Sequence, residues 1–392
     1  MSFTNNTNNT TETLADCNIV IDAGLIVSYQ VLGIVQIVNY VILGGAICLV
    51  GMVVNIINMI IFVQQGLDNT VNIGMFAISL SDWCSLVTLE WTSINANPFM
   101  EKADVPFEPE DIRYLTGIWP HACFIHITMW LTVYVTAERF VCIAFPLKVK
   151  QIVTPFRTKI VVTSIYLLVF ISVSPMYVLY YFGDNFYPSR NETRVGIKMR
   201  EEVNLKGVLN MLTPVLRTVA CISLIILTCM LVIALRSRSD WRKRSKMDTR
   251  TSMNIRTSDA KIMKMVSLVA GLLIISTAPS TTLAVFLFTV PESDLNAKYD
   301  DIVYISSTFI SLLEAINSTV NTVLFYKMST KFRRQFQDLF PKCLFFSQRG
   351  GISGRGQSSP SRCGSRVGDG HNMADCDAKN SPETSSQLAQ TE

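Results

Sequence analysis

Charge is scarce in this chain: Asp, Glu, Lys and Arg make up 16% of its 392 residues, where a soluble domain averages about 25%. Histidine is scarcer, with three in the whole chain. No nucleophile–base pair and no His/Cys cluster at metal-ligand spacing is present, so nothing points to an enzyme. Residues 1–36 contain neither Lys nor Arg, and the Asn- and Thr-rich start lacks the basic and apolar regions of a cleavable signal peptide. The first apolar segment is therefore expected to direct membrane insertion itself. No loop is long enough for a second folded domain. An internal repeat or a pair of broken helices, the mark of many transporters, is also missing.

What the chain does have is apolar length. A helix needs about 20 mostly apolar residues to cross a hydrocarbon core, and seven blocks reach it: 37–63, 71–94, 119–145, 159–182, 208–235, 262–290 and 300–327. The fold expected is an all-α membrane protein, a seven-transmembrane helix bundle. Its parts are an extracellular amino terminus (1–36), the bundle (37–327), a membrane-surface amphipathic helix (328–345) and a disordered cytoplasmic tail (346–392). Basic residues stay on the cytoplasmic side. Ten of them lie in 236–264 and five in 139–159. This places the amino terminus outside and the carboxyl terminus inside, in a multi-pass protein of the cell membrane. Because these basic residues flank spans, they argue for topology and against nucleic-acid binding.

Other features agree with that orientation. Asn5, Asn8, Asn9 and Asn191 begin Asn-x-Ser/Thr sequons in segments expected outside; Asn317 also begins one, but within the seventh span, where the match is chance. In Lys331–Phe340, Phe332, Phe336, Leu339 and Phe340 share one side and Arg333, Arg334 and Gln337 lie elsewhere, a pattern suited to the inner leaflet. Cys343, just beyond, is either a palmitoylation site or an unmodified thiol. Cys17 is either a free thiol or part of an intermolecular bridge. The tail from Ser347 on is Gly-, Ser- and Arg-rich and cannot bury a core. It is a solvated tether or a phosphorylated segment.

Polar residues inside spans are costly in lipid and tend to face an interior. Asn55, Asp82, Thr128, Asn317, Ser318 and Asn321 fall at similar depths, and together could hold Na⁺ or a proton. Hydrogen bonding between helices alone is the competing reading. At the inner end of the third span stands Glu138-Arg139-Phe140, with Pro146-Leu147 beyond it and Asp259 before the sixth span. An arginine with a carboxylate on its own helix and another on a neighbour can form a breakable latch; an ordinary interfacial ion pair is the alternative.

These motifs together resemble the rhodopsin-like G-protein-coupled receptors over about residues 37–340. The resemblance rests on Asn55, Leu80-Ser81-Asp82, Thr136-Ala137-Glu138-Arg139-Phe140, Pro146-Leu147 and Asn317-Ser-Thr-Val-Asn321-Thr-Val-Leu-Phe325-Tyr326. It implies a receptor that binds an external ligand and activates a heterotrimeric G protein, with arrestin and a receptor kinase acting through the tail and no resident cofactor beyond an allosteric Na⁺. It further implies that Arg139 engages the G protein, Leu147 inserts into it, and Asp259 latches Arg139 at rest. Asp82, Thr128, Asn317, Ser318 and Asn321 would form the sodium pocket, and Asn321 and Phe325 would belong to the switch. Trp119-Pro-His-Ala-Cys123 and Ile143-Ala-Phe-Pro-Leu-Lys-Val-Lys150 also resemble invertebrate, particularly molluscan, peptide-receptor-like and chemosensory receptors. A peptide or a small chemosensory cue is the ligand expected; a transporter or channel of the same architecture is the second reading.

The sequence also departs from that family. Tyr114 stands where the cysteine of the usual external disulfide is expected, and 183–207 has no cysteine, so other contacts must hold that loop or it moves. Thr277 replaces the usual tryptophan of the sixth span, although Pro279 remains and predicts a kink. Thr322 and Phe325 replace the usual proline and tyrosine of the seventh. Ala315, where an opsin has its retinal lysine, and His121, where an amine receptor has its aspartate, argue against both ligand types. The ligand-pocket candidates are His121, Arg217, Glu314 and Glu90. Glu314 either meets a cationic ligand or pairs with His121 or Arg217. His126 lies five residues from His121, a spacing poorly suited to metal.

Overall fold

The computed structural model describes residues 29–188, 191–200, 206–244, 250–289 and 300–340. Seven of its helices are long and apolar enough to cross a membrane: Val31–Gln64, Thr70–Asn95, Pro109–Ala144, Pro155–Leu179, Leu212–Ser237, Met263–Leu287 and Asp301–Met328. We call them spans 1 to 7. Each contains most of one predicted apolar block, because only that much apolar surface can replace water across a bilayer. Asn5, Asn8, Asn9, Cys17, Cys343 and the tail lie outside the described residues.

The ends differ from expectation where polar residues obscured the pattern. Helix in span 1 begins at Tyr29 and is π-helical over Ile37–Gly44. Span 3 starts at Pro109, ten residues before the predicted 119. Its first turn carries Pro109, Glu110 and Asp111, residues that suit a helix start but not a hydropathy search. Tyr114–Ile118 is then π-helical, and Pro120 follows. A proline ring crowds the carbonyl four residues earlier, and a wider turn relieves that contact. Span 4 ends at Leu179 rather than 182. The amphipathic helix covers Thr330–Leu339, capped by Ser329, whose hydroxyl accepts from Phe332 N.

The all-α expectation needs one correction. Tyr180–Tyr187 (β1) and Glu192–Met199 (β2) form an antiparallel hairpin in register from Tyr180↔Met199 to Tyr187↔Glu192. The segment read as a loop because Asp184, Asn185, Arg194 and Lys198 interrupt any apolar alternation. Asn191 sits exposed at the turn with φ 54°, a left-handed conformation that asparagine tolerates. The free edge of β2 is covered: Val195 N donates to Pro106 O (3.0 Å) and Val195 O accepts from Glu108 N (2.9 Å). A covered edge cannot pair with another chain.

Span 3 packs against spans 2, 4, 5 and 6; span 1 packs on spans 2 and 7, span 5 on span 6, and span 6 on span 7. Leu168, Ile233 and Ile275 are 65%, 66% and 70% exposed on the outer surface, the apolar coat that lipid requires. The protein is a multi-pass membrane protein. Its two ends are here called the hairpin end and the Arg139 end.

Candidate ligand pocket, polar ladder and switch

At the hairpin end, the missing disulfide has a noncovalent counterpart. Asp111 Oδ2, in the first turn of span 3, accepts from Tyr187 Oη (2.7 Å) and from Ile197 N (2.8 Å). One carboxylate oxygen thus joins both strands to span 3. Gly196 makes the approach possible, because a Cβ there would overlap Tyr187 Oη and Asp111 Oδ2. Burial, and then the hydrogen bond to the Asp111 carboxylate, push the Tyr187 hydroxyl up to about 12. Tyr114, where cysteine was expected, packs edge-on against Trp119 (6.1 Å) and Tyr180 (6.0 Å). Asp111 was missed by sequence reading; nothing local marks a partner 86 residues away.

Deeper in the bundle, five spans converge. His121 Nε2 donates to Glu314 Oε2 at 3.0 Å, and both residues are buried. His121 Nδ1 lies 3.0 Å from both Ser85 Oγ and Ser85 O. A neutral ring accepts from the hydroxyl there, whereas an imidazolium donates to the carbonyl. Arg217 Nε donates to His126 Nε2 at 3.0 Å, so that nitrogen carries no proton and His126 is neutral. Of the two internal partners expected for Glu314, it bonds His121, while Arg217 and Ser280 lie near enough to act on the same carboxylate. Glu314 Oε1 is buried with no hydrogen-bond partner among the described residues. Glu90 is not in this group; its carboxylate lies against Gly45 of span 1.

One to two turns further along span 7 lies the Asp82 cluster. Asp82 is fully buried and accepts from Thr128 Oγ1 (3.1 Å), Ser318 Oγ (3.3 Å) and Asn321 Nδ2 (2.8 Å). Asn317, the remaining expected member, is buried but bonds none of them in the described contacts. Asn55 Nδ2 donates to Ser318 O (2.9 Å), and Asn58 Nδ2 to Thr322 Oγ1 (2.8 Å). Thr322, which replaces a proline, thereby joins span 7 to span 1. Asn317 Oδ1 and Asn321 Oδ1 are buried with no hydrogen-bond partner among the described residues. Two orphaned amide oxygens beside a carboxylate fit a hard cation, which takes oxygen ligands; Asp82, Thr128, Asn317, Ser318 and Asn321 are the residues that would hold it.

Span 6 runs as continuous helix through Pro279. Thr277, in the tryptophan position, is buried and its hydroxyl bonds back to Leu273 O (2.6 Å). Ser276, Ser280 and Thr281 make similar bonds around the proline.

At the Arg139 end, Glu138 is buried and ion-paired with Arg139. Thr70 Oγ1 donates to Glu138 Oε1 (2.5 Å), and Arg139 Nη2 donates to Thr70 Oγ1 (3.3 Å). Thr70 opens span 2, whose start is fixed by Asn69 accepting from Val71 N. The described contacts of Arg139 and Glu138 therefore link spans 2 and 3. Thr70 was missed; Asn69 as a helix cap was the available signal, since it sets span 2's first turn near the end of span 3. Asp259 lies on the helix Arg250–Thr289, but its side chain is outside the described residues. Phe140 packs partly buried on the core, and Leu147 is 94% exposed. Phe325 is fully buried between Phe62 (5.3 Å) and Phe332 (5.8 Å), where it anchors the amphipathic helix to span 1.

Seven membrane-spanning helices, buried pairs of ionisable groups between them and an arginine cluster at one end are the arrangement of a serpentine receptor. The chain matches the serpentine type 7TM GPCR chemoreceptor family Srw over residues 39–343, and it belongs to that family. The match agrees with the chemosensory part of the expected resemblance, and the family is one of nematode rather than molluscan chemoreceptors. It is a family of receptors, not of enzymes, and it does not favour the transporter or channel reading.

Proposed function

We propose that the hairpin end faces outside the cell, that an external chemical cue binds there, and that the Arg139 end activates a heterotrimeric G protein. The observation that carries this is the ladder of buried polar contacts between the two ends. Ser85, His121 and Glu314 form one rung; Asp82, Thr128, Ser318 and Asn321 form the next. Ser85 follows Asp82 by about one turn of span 2, and His121 precedes Thr128 by about two turns of span 3. A ligand that engages Glu314 or His121 shifts span 7 against span 3. The Asp82 rung, which ties the same spans, must then rearrange. Packed helices with two discrete arrangements transmit such shifts.

We assign Na⁺ to the Asp82 rung and, to Arg139, the contact with the G protein once its bonds to Glu138 and Thr70 break. The reading is tested by nucleotide exchange on purified G proteins with the receptor in lipid nanodiscs, over a panel of peptides, amino acids and odorants. Agonist-stimulated exchange is expected, and Arg139→Ala is expected to abolish it without loss of ligand binding. Signalling that survives Arg139→Ala unchanged would overturn the mechanism.

A further inference from the structure

A cavity of about 270 Å³ opens at the hairpin end, lined by span 1 (Leu32, Gln36), the end of span 2 (Asn95–Asn97), the start of span 3 (Glu108–Glu110, Arg113) and span 7 (Asp301, Tyr304). It lies apart from the His121–Glu314 rung and contains none of the candidates named from sequence. Three of its lining residues are acidic, Glu108, Glu110 and Asp301, and one is basic, Arg113. Arg113 is already paired with Glu110 at 2.9 Å, and Glu108 has contacts of its own, so the charge offered to a ligand is chiefly that of Asp301.

The second observation is Asn95. It is 4% exposed; its Nδ2 is spent on Trp91 O (2.8 Å), and its Oδ1 has no hydrogen-bond partner among the described residues. A buried amide oxygen without a donor is costly, because its lost bond to water is not replaced. It can only accept, so a group that satisfies it must donate. Gln36 Nε2 is committed to Ala96 O, closing the wall between spans 1 and 2.

We propose that this cavity is a subsite for a cationic donor group, the guanidinium or primary ammonium of a ligand. Such a group meets Asn95 Oδ1 with an N–H and the acidic residues with its charge, and Tyr304 offers an aromatic face beside it. The volume is below the range of a complete small-molecule site, so it holds one basic group while the rest of the ligand extends toward the His121–Glu314 rung. The assignment rests on ligand binding at the hairpin end, but its test needs no G protein, so the two can fail separately.

The test uses the full-length protein in nanodiscs and saturation-transfer NMR with three probes: n-butylguanidinium, the neutral n-butylurea and the anionic pentanoate. Saturable binding of n-butylguanidinium is expected, at least tenfold tighter than either comparator. The affinity should weaken as NaCl is raised from 20 to 500 mM. Asp301→Asn with Glu110→Gln is expected to weaken it tenfold or more. Asp301→Asn alone should weaken it severalfold and covers the case in which the double variant does not fold. Equal binding of n-butylurea, tighter binding of pentanoate, or unchanged n-butylguanidinium affinity in a folded variant overturns the proposal.

Discussion

The Asp111 clamp offers the most direct test of how this receptor does without a disulfide. Its carboxylate accepts two hydrogen bonds, from Tyr187 Oη and Ile197 N, at 2.7 and 2.8 Å. Hydrogen bonds to a charged group contribute about 1.5–3 kcal/mol each, and the lower end applies to a hairpin that is half exposed. Asp111→Ala should therefore make local opening of the hairpin easier by about 2–3 kcal/mol, which is roughly 30- to 150-fold in the opening equilibrium. Asp111→Asn keeps one acceptor and should fall between. Hydrogen–deuterium exchange reads this at one amide: Ile197 N–H points at Asp111, so its protection should collapse first. Asp184→Asn, on the exposed part of β1, serves as the control and should change nothing. If Ile197 keeps wild-type protection in folded Asp111→Ala, the clamp does not hold the hairpin and the reasoning fails.

Three further outcomes are expected. The free tyrosine value is 10.0 and Tyr187 stands at about 12; the folded state holds that proton more tightly, so its contribution is complete below pH 10 and is lost as pH rises toward 12. A spectrophotometric titration of Tyr187→Phe against wild type should show one phenol fewer ionising near pH 12. Phe332, fully buried against Phe62 and Phe325, should cost about 3–5 kcal/mol when cut to alanine; a thermal unfolding midpoint within error of wild type would contradict this. Thr70→Val removes one hydroxyl shared by Glu138 and Arg139, weakening the resting cluster by about 1 kcal/mol and raising ligand-independent nucleotide exchange severalfold; unchanged basal exchange would show that Thr70 is no part of the latch.

Much of this was readable from sequence, and the boundary is physical. The spans were legible because lipid demands about 20 apolar residues in a row. The Asp82 cluster was nearly legible: an acid and amides at matching depth need partners, and Thr128, Ser318 and Asn321 supply them. Pairings among alternatives were not. Glu314 had two internal partners on offer, and depth alone could not show that His121 takes the bond while Arg217 turns to His126. Phe325 was placed in the switch by motif position, yet its surroundings, Phe62 and Phe332, come from elements far apart in the chain. The hairpin was hidden for a related reason. Its exposed positions mix apolar residues (Tyr181, Phe182, Phe186, Met199) with polar ones (Asp184, Glu192, Thr193), so no alternation marks the strands, and its anchor belongs to another helix.

The absence of the disulfide then acquires a mechanical meaning. A covalent link would hold the loop to span 3 whatever ligand was present. Here Tyr114 packs against Tyr180, and Asp111 bonds both strands; contacts of a few kcal/mol open and reclose on their own. The clamp sits on the first turn of span 3, and Glu110, which lines the acidic cavity, is Asp111's neighbour. A cation drawn into that cavity acts on the same turn that holds the hairpin. If the cavity takes a cation, binding and loop closure are expected to be coupled: a ligand that prefers the closed hairpin tightens it, and by linkage a hairpin loosened by Asp111→Ala binds that ligand more weakly. Measured together, n-butylguanidinium affinity and Ile197 protection should change in step. Protection that falls while affinity stays constant would separate the two and leave the clamp as scaffold alone.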